Sequence, residues 1–226
     1  MHSGFLLINK PSGPTSHDII GILRKITGIK KIGHAGTLDP FASGLLIVGV
    51  GREATKNLDK FLKSDKSYVA TLKFGVVSDT YDRTGQIKLT DQTNNEPIKQ
   101  EAVEKVLKKF MGEIEQIPPM YSAKKVNGKK LYELARKGIE INRTPTTIKI
   151  FKLQVIEYKH PDIVIDCKVS SGTYIRSLAH DIGQNLGCGA LLENLERTEI
   201  KDYKLSESID PTKLNSDNWY KYLKIL

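Results

Sequence analysis

Cysteine is nearly absent from this chain: its 226 residues include only Cys167 and Cys188. Two cysteines so placed form neither a disulfide framework nor a metal-ligand spacing, and a reducing compartment is the expected setting. Long apolar runs are also missing. No stretch approaches the roughly 20 residues that a membrane-spanning helix requires. The opening Met1-His2-Ser3-Gly4-Phe5-Leu6-Leu7-Ile8 holds a short apolar run without a cleavage-like flank, so it does not read as a signal peptide. Glycine-rich nucleotide loops are lacking as well. There is no GxxxxGK, no GxGxxG behind a strand-like run, and no His or Cys pair at metal spacing, which argues against ATP, NAD and zinc. A soluble, cytoplasmic protein is expected.

Acidic residues are the other shortage. Lysine and arginine total 35 against 26 aspartates and glutamates, a net charge of +9. Such a surplus favours polyanionic partners, nucleic acid first. The charge is clustered: Lys124, Lys125, Lys129, Lys130, Arg136 and Lys137 lie in one segment whose sole acid is Glu133. Tyr121 and Tyr132 interleave with these cations, which is how a surface that grips a nucleic acid backbone is written. The plainer alternative is a solvated lysine-rich face.

What is present in quantity is core material. At 39% hydrophobic and 27% charged residues the chain can bury a substantial interior, and its length suits one large domain, or one domain with an appendage. Residues 5–8 read as a buried strand, followed by a loop through Pro11, Gly13 and Pro14. Ser16 is the expected cap of a helix with Ile19, Ile20, Leu23 and Ile26 on one face. Further elements are expected as a strand over 45–50, a helix over 53–62 and a strand over 66–74 with Tyr68, Ala70, Leu72 and Phe74 facing inward. Residues 90–97 read as a surface loop. The helix after it carries Val103, Val106, Leu107, Phe110 and Met111 on its core face. A short basic helix over 129–137 ends at Gly138. Strands over 147–157 and 162–170 follow, then a helix beginning at Ser170, a last strand over 195–200, and a closing helix containing Trp219. Helices and strands mix without regular βαβ alternation. The expected class is α+β, with a mixed, largely antiparallel sheet and flanking helices.

The most informative stretch is Gly33-His34-Ala35-Gly36-Thr37-Leu38-Asp39-Pro40-Phe41-Ala42-Ser43-Gly44. Its glycines let the backbone bend and let a ligand approach, and Pro40 biases Asp39 towards an extended conformation. A histidine and a carboxylate are thus presented on a loop anchored by a strand. Most loop aspartates merely cap turns, and His34 alone could equally be a metal ligand. Arg176 stands near the start of its helix, where the dipole disfavours a cation, and gains most from an acid within reach.

Several segments together carry a family resemblance. They are Gly4 to Ser16, the stretch just quoted, Lys66-Ser67-Tyr68, Tyr121-Ser122-Ala123-Lys124-Lys125, Ser170 to Leu178 and Leu186-Gly187-Cys188-Gly189-Ala190. In this order they resemble the bacterial tRNA pseudouridine synthases of the TruB family, which isomerise uridine 55 in the T loop. The resemblance implies the pseudouridine synthase catalytic fold over 1–210, with a thumb insertion at about 121–143 and a short tail over 211–226 in place of a C-terminal RNA-binding module. Asp39 falls on the catalytic aspartate, Tyr68 on the tyrosine that stacks on the target base, and Arg176 on the arginine that pairs with the aspartate. His34 matches an RNA contact where the base has left the stack. Tyr174 and Leu195 match pocket residues, and Lys10 is placed with the substrate-binding set. Lys124, Lys125, Lys129, Lys130 and Arg136 become backbone contacts in the thumb. The implied partner is the T arm of tRNA, with no membrane, no obligate protein partner and a monomeric state. One departure stands out: relatives carry paired arginines after Leu195, whereas here Glu196 precedes Arg197, so one backbone contact is expected to be missing.

The implied chemistry breaks an N-glycosidic bond, turns the uracil and joins C5 to C1′. Hydrolysis of a glycoside uses a second carboxyl group and a water. Uracil can leave as a stabilised anion and water must be kept out, so one ionised carboxylate in a dry pocket suffices, without metal or organic cofactor. Asp39 acts either as a nucleophile at the sugar or as the base on a route through a glycal. A nearby Arg176 would keep it ionised, and the base must first be flipped out of the RNA. Two other readings remain at this stage: a non-catalytic tRNA-binding protein, and an N-glycosidase that releases free uracil.

Overall fold

Two strands are almost wholly apolar, and both end up sealed on both faces. Residues Gly4–Lys10 form β1 and Ser43–Val50 form β3, paired antiparallel from Gly4 opposite Val50 to Lys10 opposite Gly44. The computed structural model describes residues 3–90, 97–126 and 128–225. Between these strands lie α1 (Ser16–Thr27) and β2 (Ile32–Ala35); after them come α2 (Arg52–Lys56), α3 (Asp59–Leu62), β4 (Lys66–Phe74), β5 (Val76–Ser78) and β6 (Ile87–Leu89). Next are α4 (Gln100–Lys109), β7 (Gly112–Gln116), β8 (Lys125–Val126), β9 (Lys129–Lys130) and α5 (Leu131–Ala135). The chain continues through β10 (Thr146–Lys159), β11 (Asp162–Val169), α6 (Ile175–Leu186), β12 (Ala190–Ile200) and β13 (Tyr203–Lys204) to three 3₁₀ turns. The architecture is α+β, with a mixed, mostly antiparallel sheet and flanking helices.

The chain divides into two compact units, residues 1–69 with 195–226, and residues 70–194. In the first, strand order is β1-β3-β12-β4, and the β3–β12 pairing is parallel, with Glu196 opposite Ser43 and Arg197 opposite Gly44. β2 also pairs with β3, placing His34 opposite Val48. Strand alternation sends Leu6 and Ile8 to one core, against α1, Leu214 and Trp219. Phe5 and Leu7 go to another, against Leu58, Phe61 and Ile200. In the second unit the order is β4-β11-β10-β7, and α4 and α6 bury Val103, Val106, Leu107, Leu178 and Ile182. Among the described residues no helix is long and apolar enough to cross a membrane.

Several expected boundaries move, each for a local reason. Thr15, not Ser16, caps α1: its hydroxyl accepts from the Asp18 N–H, and its own N–H donates to the Asp18 carboxylate. Helix 53–62 is two short pieces, interrupted at Asn57, whose side-chain amide bonds back to the Glu53 carbonyl. The start of the histidine-aspartate stretch is strand β2 rather than loop. The basic helix begins only at Leu131, because Lys125–Val126 and Lys129–Lys130 pair as strands β8 and β9. Strand β7 was not expected: its exposed Glu113 and Glu115 mask a half-buried alternation. Met111 is 43% exposed rather than core-facing. Helix α6 starts at Ile175, five residues after Ser170, because Gly172 takes a left-handed φ of 85°. Strand β12 starts five residues before Leu195. The closing segment forms 3₁₀ turns instead of an α-helix, with Trp219 still buried. Of the loop expected at 90–97, residues 91–96 lie outside the described residues.

Candidate active site

The Asp39 loop is short and is fixed almost residue by residue. Ser16, buried at the start of α1, accepts from the Leu38 N–H at 2.9 Å and donates to the Leu38 carbonyl at 3.2 Å. The Pro40 carbonyl accepts from the Gly13 N–H at 2.8 Å and from Lys10 Nζ at 3.3 Å. Ser12 Oγ donates to the Phe41 carbonyl at 2.8 Å, and the Ala42 N–H closes a turn on the Asp39 carbonyl. The half-buried Asp39 is therefore carried by a backbone with little freedom.

Lys10 is wholly buried, and its ammonium donates to the carbonyls of Pro11, Pro14 and Pro40. Burial pushes its pKa down to about 8, and the negative charge of Asp39 is the largest influence in the other direction. The geometry thus makes Lys10 a brace for the loop and a positive charge in the field of Asp39. His34 sits on β2, and its Nδ1 is buried without a hydrogen-bond partner among the described residues. Burial holds this imidazole below its usual pKa, with Arg197 and His17 adding to the effect.

Tyr68 lies on β4 with its side chain buried, as its place on the strand's inner stripe required. Leu195 and Arg197 share one face of β12, and the intervening Glu196 is exposed. Arg197 is the residue that the sequence reading undervalued. Its side chain is 1% exposed, Nε donates to the Leu45 carbonyl at 2.8 Å, and one terminal nitrogen donates to the Gly36 carbonyl at 2.9 Å. Burial holds its pKa below the usual arginine value, with the Tyr68 side chain acting in the other direction. Alternation along β12 was the available signal, because a residue two positions from a buried leucine points the same way. Glu196 is on the surface and Arg197 is interior. Gly44 reflects this packing. At φ 107°, an added Cβ would lie 2.4 Å from the Arg197 carbonyl oxygen.

In the second unit, Arg176 has the acid that its position on α6 called for. One terminal nitrogen lies 3.5 Å from Asp82, and both side chains are about 95% buried, at 5% and 4% exposure. The guanidinium also donates to the Thr80 and Tyr121 carbonyls at 3.0 and 2.7 Å. Asp82 in turn accepts from the Thr80 hydroxyl and from the Thr84 N–H and hydroxyl. Sequence reading named Arg176 but not Asp82, one of several acids in a polar turn with nothing in the sequence to single it out. Tyr174 precedes α6, and its backbone N–H and C=O both bond the Gln116 side-chain amide.

The basic segment is also partly ordered by its own interactions. Lys130 and Arg136 approach the ring of Tyr132, at 5.4 and 5.3 Å from its centroid. Lys124 donates to the Thr146 hydroxyl. Lys129 and Arg136 are exposed, and Lys125 lies on β8.

The model of the TruB family pseudouridylate synthase N-terminal domain matches residues 24–175. A tRNA pseudouridine synthase B from Chlamydia felis is 46% identical over 210 residues, covering 93% of this chain and 88% of the relative. One from Protochlamydia amoebophila is 48% identical over 213 residues, covering 94% and 80%. Among solved structures, a chain of a Cbf5-Nop10-Gar1 complex superposes with a TM-score of 0.73 at 31% identity, over 97% of this chain and 55% of that one. A chain of an H/ACA RNP bound to a substrate RNA containing 2′-deoxyuridine gives 0.70 at 29% identity, over 97% and 54%. The chain thus spans about half the length of those two solved chains. Across a matched stretch that includes the Asp39 loop, Tyr68 and the Asp82 turn, the chain belongs to the TruB family of pseudouridylate synthases.

Proposed function

We propose that the chain is an isomerase that converts uridine 55 in the T loop of tRNA to pseudouridine, with Asp39 as the catalytic group. The observation that carries this reading is the fixed Asp39 loop, facing the charge of Lys10 and braced by Arg197 at Gly36 and Leu45. A mobile turn acid would need none of these supports. Ionised Asp39 supports charge developing at C1′ of the ribose, and a dry surrounding makes that support stronger than it would be in water. Tyr68 offers its ring to the flipped uracil and its hydroxyl to proton movement at C5. His34, with a buried nitrogen lacking a partner, suits contact with the RNA where the base has left. Tyr174 and Leu195 are proposed to flank the base. For Arg176 the resemblance implies the role of charge partner to the aspartate, and its own support from Asp82 fits a guanidinium that must be held still.

The basic segment over 121–143 supplies the surface for the T arm through Lys124, Lys125, Lys129, Lys130 and Arg136, and the enzyme is proposed to work as a cytoplasmic monomer without a protein partner. The deciding experiment maps pseudouridine in a T-arm hairpin after incubation with the wild-type protein and with Asp39→Asn. Wild type is expected to modify position 55. The variant should lose at least about a thousandfold in rate while its affinity for the hairpin changes by less than about threefold. Modification by a clean Asp39→Asn preparation at more than a few per cent of the wild-type rate would sink the assignment, and release of free uracil would make the protein a glycosidase instead.

A further inference from the structure

Tyr81 holds a backbone conformation that its side chain does not favour. Its φ of 63° is left-handed, a region that a bulky L-residue enters only at a cost. Glycine would make the same bend without that cost; what glycine lacks is a ring. The ring of Tyr81 lies flat on the imidazole of His180, with centroids 4.0 Å apart and planes 14° from parallel. The bend is also pinned through its backbone. The Tyr81 carbonyl accepts from the Leu192 N–H at 3.0 Å, and the Tyr81 N–H donates to the Ser78 carbonyl at 3.2 Å.

The neighbours of Tyr81 give the stack its consequence. Tyr81 lies between Thr80 and Asp82, and Nη1 of Arg176 serves both: it donates to the Thr80 carbonyl at 3.0 Å and lies 3.5 Å from the Asp82 carboxylate. His180 follows Arg176 by four residues on α6, which puts the two on one face of the helix. That face therefore meets three consecutive residues, the guanidinium at Thr80 and Asp82 and the imidazole at Tyr81. Other bonds of this turn run within it or to β12; the stack adds a tie to α6 that does not depend on the guanidinium. We infer that Tyr81 and His180 are positioning residues for Arg176: their stack fastens the 80–82 turn to the helix that carries the arginine, so that its two acceptors stay in place. The state of the imidazole suits the task. Burial holds its pKa below the usual value, so at neutral pH it adds no second cation beside Arg176. Its Nδ1 is buried without a hydrogen-bond partner among the described residues, so no bond at that nitrogen competes with the stack for the direction of the ring. The inference rests on the role proposed above for Arg176.

Two measurements on the whole chain test it. The first follows hydrogen exchange of the Leu192 amide, which bonds the Tyr81 carbonyl and is read without substrate. His180→Ala leaves the turn's own sequence untouched and is expected to speed that exchange about 2–10-fold, the fold-change that a ring stack is worth; unchanged exchange overturns the inference. The second assays His180→Ala, His180→Phe and Tyr81→Gly on a T-arm hairpin. His180→Ala and Tyr81→Gly are each expected to lower kcat about 2–10-fold with KM within about twofold, and His180→Phe, which keeps a flat ring, to recover most of that loss. The double variant should cost no more than the larger single one. Full additivity, a loss confined to KM, or an undiminished kcat in Tyr81→Gly overturns the inference, the last because the ring would then serve nothing beyond its own bend. Should His180→Ala fail to fold, Tyr81→Gly, which relieves the backbone, still decides it. A wild-type protein that makes no pseudouridine would defeat the proposed function, while the Leu192 exchange would separately decide whether the stack holds the turn.

Discussion

Single cations in this molecule do most of their visible work on carbonyl oxygens. Lys10 and Arg197 brace the Asp39 loop, and Lys66 donates to the carbonyls of Leu62 and Ser64 at the end of α3. Burial pushes Lys66 down to about 8 from an ordinary 10.5, with Arg197 adding to the shift and Asp65 opposing it. The linkage has a definite sign. An unfolded lysine keeps its proton up to its ordinary pKa, whereas folded Lys66 releases it near pH 8, so between these values the unfolded chain binds more protons and stability rises with pH. Lys66→Met is therefore expected to flatten the rise in urea midpoint between pH 8 and 10, leaving the contribution of Lys10, which has the same direction. The Asp82–Arg176 pair behaves differently, because each partner leaves a buried charge behind if the other is removed. Asp82→Ala should cost about 3–5 kcal/mol in urea unfolding, more than a typical surface substitution by several-fold.

Elements were legible in the sequence where one rule acted alone. The alternation in β4 placed Tyr68 inside, and the spacing of Ile19, Ile20 and Leu23 gave α1 its core face. Where two local rules competed, the sequence misled. Ser16 and Thr15 are both good caps, and which one caps α1 was decided by Leu38, which takes the Ser16 hydroxyl for the Asp39 loop. The β8–β9 hairpin sits in a lysine-rich run with no apolar alternation to announce it. Asp39 could be singled out because it lies among glycines and a proline in a recognisable motif. Arg197 was passed over, since a charged residue in a strand reads as solvent-facing unless its two-residue offset from the buried Leu195 is weighed.

At the scale of the whole molecule the controlling quantity is charge. A net charge of +9 favours association with RNA of any sequence, so charge alone does not discriminate among RNAs. Affinity for a T-arm hairpin should fall linearly on a log–log plot against salt. Replacing the exposed Lys129 and Arg136 with alanine is expected to shallow that slope by about 0.7–0.9 for each phosphate that is no longer neutralised, with kcat at saturating RNA preserved. A slope unchanged from wild type would mean that other cations meet the phosphates. The coverage of relatives belongs to this scale as well: the chain spans 88% and 80% of the two bacterial relatives but 55% and 54% of the two solved chains.

The pairing of Arg197 with the Asp39 loop also bears on the order in which the protein is made. Its hydrogen bonds to Leu45 and Gly36 span 152 and 161 positions of sequence. A ribosome adding about 5–20 residues each second exposes the aspartate long before the arginine that braces its loop. The growing chain therefore carries Asp39 for many seconds without the brace, and the geometry of its loop is completed only after β12 has emerged.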